Sequence, residues 1–208
     1  MRQIKNSFSN TSRILLCVAM IAMLSVSCSE KRPQHIIGVS QCSEDIWRHW
    51  QNSEMQMETN FHEGVELRFA SAYDNSERQS QQIDSLVESG IDLLIVAPNQ
   101  LSSVSPAIDR AYDKGIPVIV FERKTDSQKY TAFVSADNYE MGHQMGKYVV
   151  SRLNGKGRVM EILGLKGSSP AQERHDGFTD ALKDSGVEVV ATIQGDWTEP
   201  TAYEAVKI

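Results

Sequence analysis

Cysteine is scarce: three stand in 208 residues, too few for a disulfide framework. Cys17 falls in the N-terminal leader and Cys28 directly after it, which leaves Cys42 alone in the rest of the chain. A lone Cys at a strand end is ordinarily a small packed residue, and no catalytic partner stands near it in sequence. Nucleotide loops are missing as well. There is no G-x-G-x-x-G and no G-x-x-x-x-G-K-[ST], and in Gly164-Leu-Lys-Gly167-Ser-Ser the glycines are too close and no Lys follows the second. No G-x-S-x-G elbow presents a serine nucleophile. The five histidines, at 35, 49, 62, 143 and 175, show no zinc-ligand spacing. Carboxylates are plentiful, yet no pair takes acid and base roles from spacing alone. No cofactor or metal is expected, and an enzyme is the weaker reading. Basic surplus is absent too: a net charge of -6 and a pI near 5.4 exclude a general affinity for nucleic acid or anionic membrane.

No apolar run reaches the roughly 20 residues that a spanning helix needs. The longest, Ile14 to Val26, follows Arg2, Lys5 and Arg13 and precedes small residues and Cys28. That layout is a secretory signal, and it resembles a bacterial lipoprotein signal in which the cysteine carries the lipid. Residues 1–27 are expected to be removed and Cys28 acylated, with 28–34 as a tether. The expected location is the periplasm, attached to the membrane by lipid. An uncleaved signal acting as an anchor is the alternative.

From His35 a rhythm begins. Strands are expected at His35–Ser40, Val65–Ala70, Asp92–Ala97, Val118–Phe121, Thr131–Ser135, Arg158–Leu163 and Val187–Thr192. Helices are expected at Glu44–His62, Asn75–Ser89 capped by Asp74, Leu101–Lys114, Asn138–Leu153 capped by Asp137, from Ser169 to a stop at Gly186, and Glu199–Ile208. Asn154 to Gly157 reads as a turn. Repeated βαβ means an α/β fold with mostly parallel sheet and helices on both faces. After Asp137 only two strands follow, so the second sheet is expected to be incomplete and the sequence to be the N-terminal piece of a longer one.

The stretch Pro117-Val-Ile-Val-Phe-Glu-Arg-Lys124 organises the rest. A short β-branched run reads as a strand buried on both faces, and side chains at its carboxyl end open into the crevice where such sheets bind ligands. Glu122 and Arg123 offer acceptors and a planar donor fork side by side, which suits hydroxyl groups.

Three phrases occur in order: Pro117-Val-Ile-Val-Phe-Glu-Arg123, Ser135-Ala-Asp-Asn138, and Gly164-Leu-Lys-Gly-Ser-Ser-Pro-Ala-Gln-Glu-Arg174. Together they resemble the type I periplasmic sugar-binding proteins, the ribose-binding-protein group. Ile37-Gly-Val-Ser-Gln-Cys-Ser43 and Ser135-Ala-Asp-Asn-Tyr-Glu140 look most like the extracytoplasmic sensor domains of hybrid two-component regulators of Bacteroidetes. The resemblance implies two lobes with a monosaccharide between them, the first at 35–136 and the second, partial, at 137–208. It places Ser40, Glu44 and Trp47 in the loop after the first strand and matches Glu122-Arg123 to the family's Asp-Arg pair. Arg174 matches the ligand arginine of an Ala-x-Glu-Arg motif, and Trp197 an aromatic that stacks on the sugar. Asp137 stands in for a polar residue at the first crossing, where Ala136 has no side-chain donor. For Trp47 a role in binding competes with a core role; Trp50 is expected in the core. Lys166 and His175 are expected at the surface. Arg174 in the first turns of its helix opposes the helix dipole, which fits a functional role. The signal is expected to pass to a histidine kinase or, if the protein is a transport receptor, to an ABC permease. A repressor of related fold would need a basic helix-turn-helix where the leader stands.

Overall fold

The computed structural model describes residues 33–207, so the leader, Cys28 and Ile208 lie outside the described residues. From Gln34 the chain runs β1 (His35–Gln41), α1 (Ile46–Thr59), β2 (Val65–Ser71), α2 (Ser76–Glu88), β3 (Leu93–Val96), α3 (Ser105–Asp113), β4 (Val118–Phe121) and β5 (Ala132–Val134). It continues through α4 (Asn138–Arg152), β6 (Lys156–Leu163), α5 (Ser169–Leu182), β7 (Gly186–Gln194) and α6 (Glu199–Val206). The first five strands form one parallel sheet in the order β2-β1-β3-β4-β5, and β6 and β7 form a parallel pair.

The order follows from burial. β3 (Leu-Leu-Ile-Val) and β4 (Val-Ile-Val-Phe) hold the middle, where Leu94, Val96, Val118 and Val120 are fully buried. β2 carries Glu66 and Arg68, paired to each other at 2.7 Å, and takes the edge, where charged side chains reach water. After β2 the chain reverses direction across the sheet, so right-handed crossovers place α1 on one face and α2 and α3 on the other. Ile83, Leu86, Val104, Ile108 and Ala111 of the latter layer join Leu94, Val96, Val118 and Val120 in one core. The reversal lies between β1 and β3, and parallel sheets bind ligands beyond the carboxyl ends of strands at such a point.

In the second lobe, α4 and α5 pack backbone to backbone. A Cβ on Gly142 would stand 2.0 Å from the Arg174 carbonyl oxygen, and one on Gly177 would stand 2.0 Å from that of Tyr139. Any larger residue would push the helices apart, so these glycines fix where Arg174 sits. The apolar face of α4 stays open: Met141 and Met145 are exposed and, with Met160, Ile162 and Phe178, border a depression of about 530 Å³.

Several boundaries differ from the sequence expectation. Asn75, not Asp74, caps α2, accepting the Arg78 N–H, while Asp74 sits in a left-handed turn at φ 61°. α3 starts at Ser105, with Pro106 in its first turn, where its missing N–H costs nothing. Leu153, Asn154 and Gly155 make the turn, and Lys156 and Gly157 already belong to β6. α5 ends at Leu182; Gly186 opens β7, its N–H donating to Gly155 O at 2.7 Å. Ser168 occupies the N-cap position of α5 and Ser169 its first helical one. Trp50 is not core but 59% exposed. The inner face of α1 is taken by polar residues, Arg48 and Asn52, that satisfy buried groups at the end of β1, so its aromatics turn outward.

Candidate functional site

A cleft of about 720 Å³ lies between the two lobes. Its first wall is the N-terminal turn of α1: Asp45, Ile46, Trp47, Arg48 and Gln51. Asp45 is the cap, its carboxylate accepting the Arg48 N–H at 3.0 Å. Burial raises the Asp45 carboxyl, but the Ser43 hydroxyl, the Arg48 amide and charge, and the Trp47 amide outweigh it and hold it below the usual carboxylate value. Trp47 is 59% exposed at the rim. Arg48 is buried, with Nη1 donating to Gln51 Oε1 at 2.8 Å, Nη2 to Cys42 Sγ at 3.1 Å and Nε to Ser43 Oγ at 3.4 Å.

The second wall is the end of β4. Glu122 takes φ 62°, uncommon for a residue with a side chain, and the Arg123 N–H donates back to Phe121 O at 2.7 Å. That tight three-residue turn aims Glu122 and Arg123 apart. It is held from the neighbouring strand end, where the Glu122 N–H donates to Val134 O at 2.7 Å and Ser135 Oγ donates to Glu122 O at 2.9 Å. Glu122 forms an ion pair with Arg48, a contact of charges rather than an aligned hydrogen bond. Its longer side chain, where the resembled family has Asp, reaches across to α1. Arg123 is buried, with Nη1 donating to Asn99 O at 3.1 Å and Nε left without a partner among the described residues. Beneath it Asp74 lies above the usual carboxylate value: burial raises it, and the charge of Arg123 offsets this only in part.

The second lobe supplies Met141, Pro170, Arg174 and Trp197. Arg174 Nε donates to Asn138 Oδ1 at 3.0 Å, and the guanidinium carbon lies 5.6 Å from the centre of the Trp197 ring, a cation–π distance. Trp197 stands at φ 66° after Asp196 at φ 50°, and its indole lies flat on Gly164, where a Cβ would come within 2.1 Å of the ring.

The structure thus brings Trp47, Glu122, Arg123, Arg174 and Trp197 to one cleft. Ser40 is not there. It is fully buried, accepting from Gln79 Nε2 at 3.2 Å, and Gln79 Oε1 in turn accepts the Asn99 N–H at 2.8 Å, so Ser40 ends a chain of bonds that props Arg123 from below. Glu44 is exposed and does not line the cleft. Asp137 caps α4, accepting the Glu140 N–H at 2.9 Å, and the polar residues lining the cleft from that crossing are Ser135 and Asn138. Sequence reasoning missed Arg48, Gln51 and Asn138. For Arg48 a signal existed: it is a cation in the first turn of a helix, the same misplacement that pointed to Arg174. Away from the cleft, His175 Nδ1 lies 2.9 Å from Glu161 and is half-buried rather than at the surface. Among the described residues no three His, Cys, Asp or Glu gather to hold a metal, and no helix is long and apolar enough to cross a membrane.

Paired guanidinium groups, a carboxylate and exposed indole faces make a site for a small polyhydroxylated ligand: planar charged groups meet hydroxyls, and aromatic faces meet C–H surface. Fold and cleft together define a two-lobed α/β binding protein. The sequence profile of the family described as "Periplasmic binding protein domain" matches residues 37–207, so the chain belongs to that family, in its type I sugar-binding group. Members of the family work outside the cytoplasm, and the domain is a binding domain rather than an enzyme. The galactofuranose-binding protein YtfQ of Escherichia coli (strain K12) is 30% identical over 201 residues, covering 94% of this chain and 62% of the relative. The ribose import binding protein RbsB of Bacillus subtilis (strain 168) is 27% identical over 134 residues, covering 64% of this chain and 44% of the relative. Among solved structures, the fructose-binding periplasmic domain of a hybrid two-component system is 41% identical with a TM-score of 0.79, covering 81% of this chain and 56% of that one. A galactofuranose-binding protein is 30% identical with a TM-score of 0.77, covering 82% and 59%. The chain spans roughly half to two thirds of the length of these proteins.

Proposed function

We propose that this chain contributes to reversible, extracytoplasmic binding of a monosaccharide in the interlobe cleft, as part of the sensor domain of a hybrid two-component signalling protein. One observation carries the reading: Glu122 and Arg123 from one lobe and Arg174 and Trp197 from the other line a single cleft of about 720 Å³, ample for a monosaccharide. The lobes meet between Ala136 and Asp137, so a ligand touching both sides favours closure, and closure is the signal. Trp47, Glu122, Arg123, Arg174 and Trp197 contact the sugar, joined by Arg48 and Asn138. Ser40 and Asp137 serve from behind, one supporting Arg123 and the other starting α4. The likeness to a fructose-binding sensor domain favours a ketose in furanose or pyranose form and a histidine kinase as the receiver.

The second reading is the lipid-anchored receptor of an ABC transporter. Cys28 at the end of the leader and the likeness to YtfQ and RbsB favour it. The downstream reading frame separates the two: a transmembrane segment and kinase motifs mark the sensor, a stop at the family's usual domain length the receptor. Binding itself is tested by thermal shift of the protein against D-fructose, D-ribose and D-galactose, since a ligand that binds only the folded state raises its melting temperature.

A further inference from the structure

The Glu122–Arg123 turn and the helix that carries Arg174 are tied together by residues that line no part of the cleft. Lys124 directly follows Arg123. Its backbone N–H donates to Ser169 Oγ at 2.7 Å, and its ammonium pairs with Glu173. Ser169 opens α5, and Glu173 is the residue before Arg174. A second tie runs beside the first: the Leu101 N–H donates to Gly167 O at 3.0 Å, and Gln100 Nε2 to Lys166 O at 3.3 Å. Leu101 is itself anchored in the first lobe, its carbonyl accepting from Ser105 Oγ at 2.7 Å and from the Asp126 N–H at 3.2 Å.

We propose that these contacts form an interlobe strap, with Ser169 and Lys124 as positioning residues that fix the spacing between Arg123 and Arg174. The ligand consequence rests on the sugar-binding reading above; the geometry rests on the bonds alone. Arg123 and Arg174 belong to different lobes, so any rotation of one lobe changes the distance between them. A ligand that must bridge both arginines binds in proportion to the fraction of molecules already holding the right spacing. The strap raises that fraction without touching the ligand. Its strongest member is the bond to Ser169, which is 6% exposed, because removing the hydroxyl leaves a partly buried N–H without an acceptor. The Lys124–Glu173 pair, with side chains 49% and 23% exposed, adds less and is screened by salt.

The test places spin labels at two exposed positions, through Gln81→Cys in the first lobe and Lys183→Cys in the second, and measures the distance distribution without ligand. Ser169→Ala is expected to broaden it, and Ser169→Thr, which restores an acceptor, to narrow it again. For D-fructose, Ser169→Ala is expected to raise Kd about ten-fold. Lys124→Met keeps the backbone N–H and is expected to raise Kd by roughly three-fold at low salt, with no effect at about 1 M salt. A distribution unchanged by Ser169→Ala overturns the strap, and so does an unchanged Kd. Broadening in a protein that binds no sugar supports the strap and counts against the sugar-binding reading alone.

Discussion

Replacing Arg48 by Met is the sharpest perturbation of the cleft. Met keeps most of the aliphatic volume and removes the charge. Arg48 is 1% exposed and satisfies Gln51, Ser43 and Cys42 while pairing with Glu122. Breaking a buried ion pair by removing one partner costs about 3–5 kcal/mol, because the other charge is stranded. The Glu122 side chain is 26% exposed, so water relieves part of that cost and about 2–3 kcal/mol is expected. For a domain of this size that is a fall in Tm of about 4–12 °C. Glu122→Gln should cost less, since it removes the carboxylate and Arg48 keeps its hydrogen bonds to Gln51, Ser43 and Cys42. The double variant Arg48→Met/Glu122→Gln strands no charge and should be more stable than Arg48→Met alone. Thermal and urea unfolding of the four proteins provide the cycle. A fall smaller than about 2 °C in Arg48→Met, or a double variant equal to the sum of the singles, refutes the pairing as the organiser of this wall.

Three further outcomes follow from particular residues. Gly164→Ala pushes the indole of Trp197 away, since a Cβ there would come within 2.1 Å of the ring, so the environment of Trp197 should change in near-ultraviolet circular dichroism while the fold persists. The depressed carboxyl of Asp45 stabilises the folded state above its ordinary pKa, near 4, and that contribution is lost as pH falls through the lower folded value. Asn also caps helices, so the Tm difference between wild type and Asp45→Asn should be constant from about pH 7 to 5 and shrink below about pH 4. If Cys28 is acylated, Cys28→Ala should no longer partition into detergent; unchanged partitioning with an intact N-terminus marks an uncleaved anchor.

The fold was legible because its strands are short apolar runs separated by capped helices. Val118 to Phe121 read as a strand buried on both faces, and the carboxyl end of such a strand, with Glu122 and Arg123, opens into the crevice. Ser40 shows where sequence stops. Side chains alternate along a strand, and which parity faces the cleft depends on register; here Ser40 points to Gln79 of α2. Asp137 was drawn two ways, as cap and as ligand residue, and the Glu140 N–H holds it as cap. Trp50 looked like core because helical spacing favours that reading. The end of β1 demanded hydrogen-bond partners instead, and Arg48 and Asn52 turned the helix to supply them. Arg48 was overlooked because its partner, Glu122, lies 74 residues away in sequence.

The central claim is that one sugar is held between the two lobes by Arg123 and Arg174. Isothermal titration of the protein with D-fructose tests it most directly, with Arg123→Ala and Arg174→Ala in parallel. The account predicts a single site whose affinity falls roughly ten-fold to more than a hundred-fold in each variant, the loss of one charge-assisted hydrogen-bond donor. The sugar-free Tm should stay within a few degrees in Arg174→Ala and fall further in Arg123→Ala, because Arg123 is buried and its Nη1 donates to Asn99 O. Affinity unchanged in both variants, or no binding heat from D-fructose and every other monosaccharide in the panel, contradicts it.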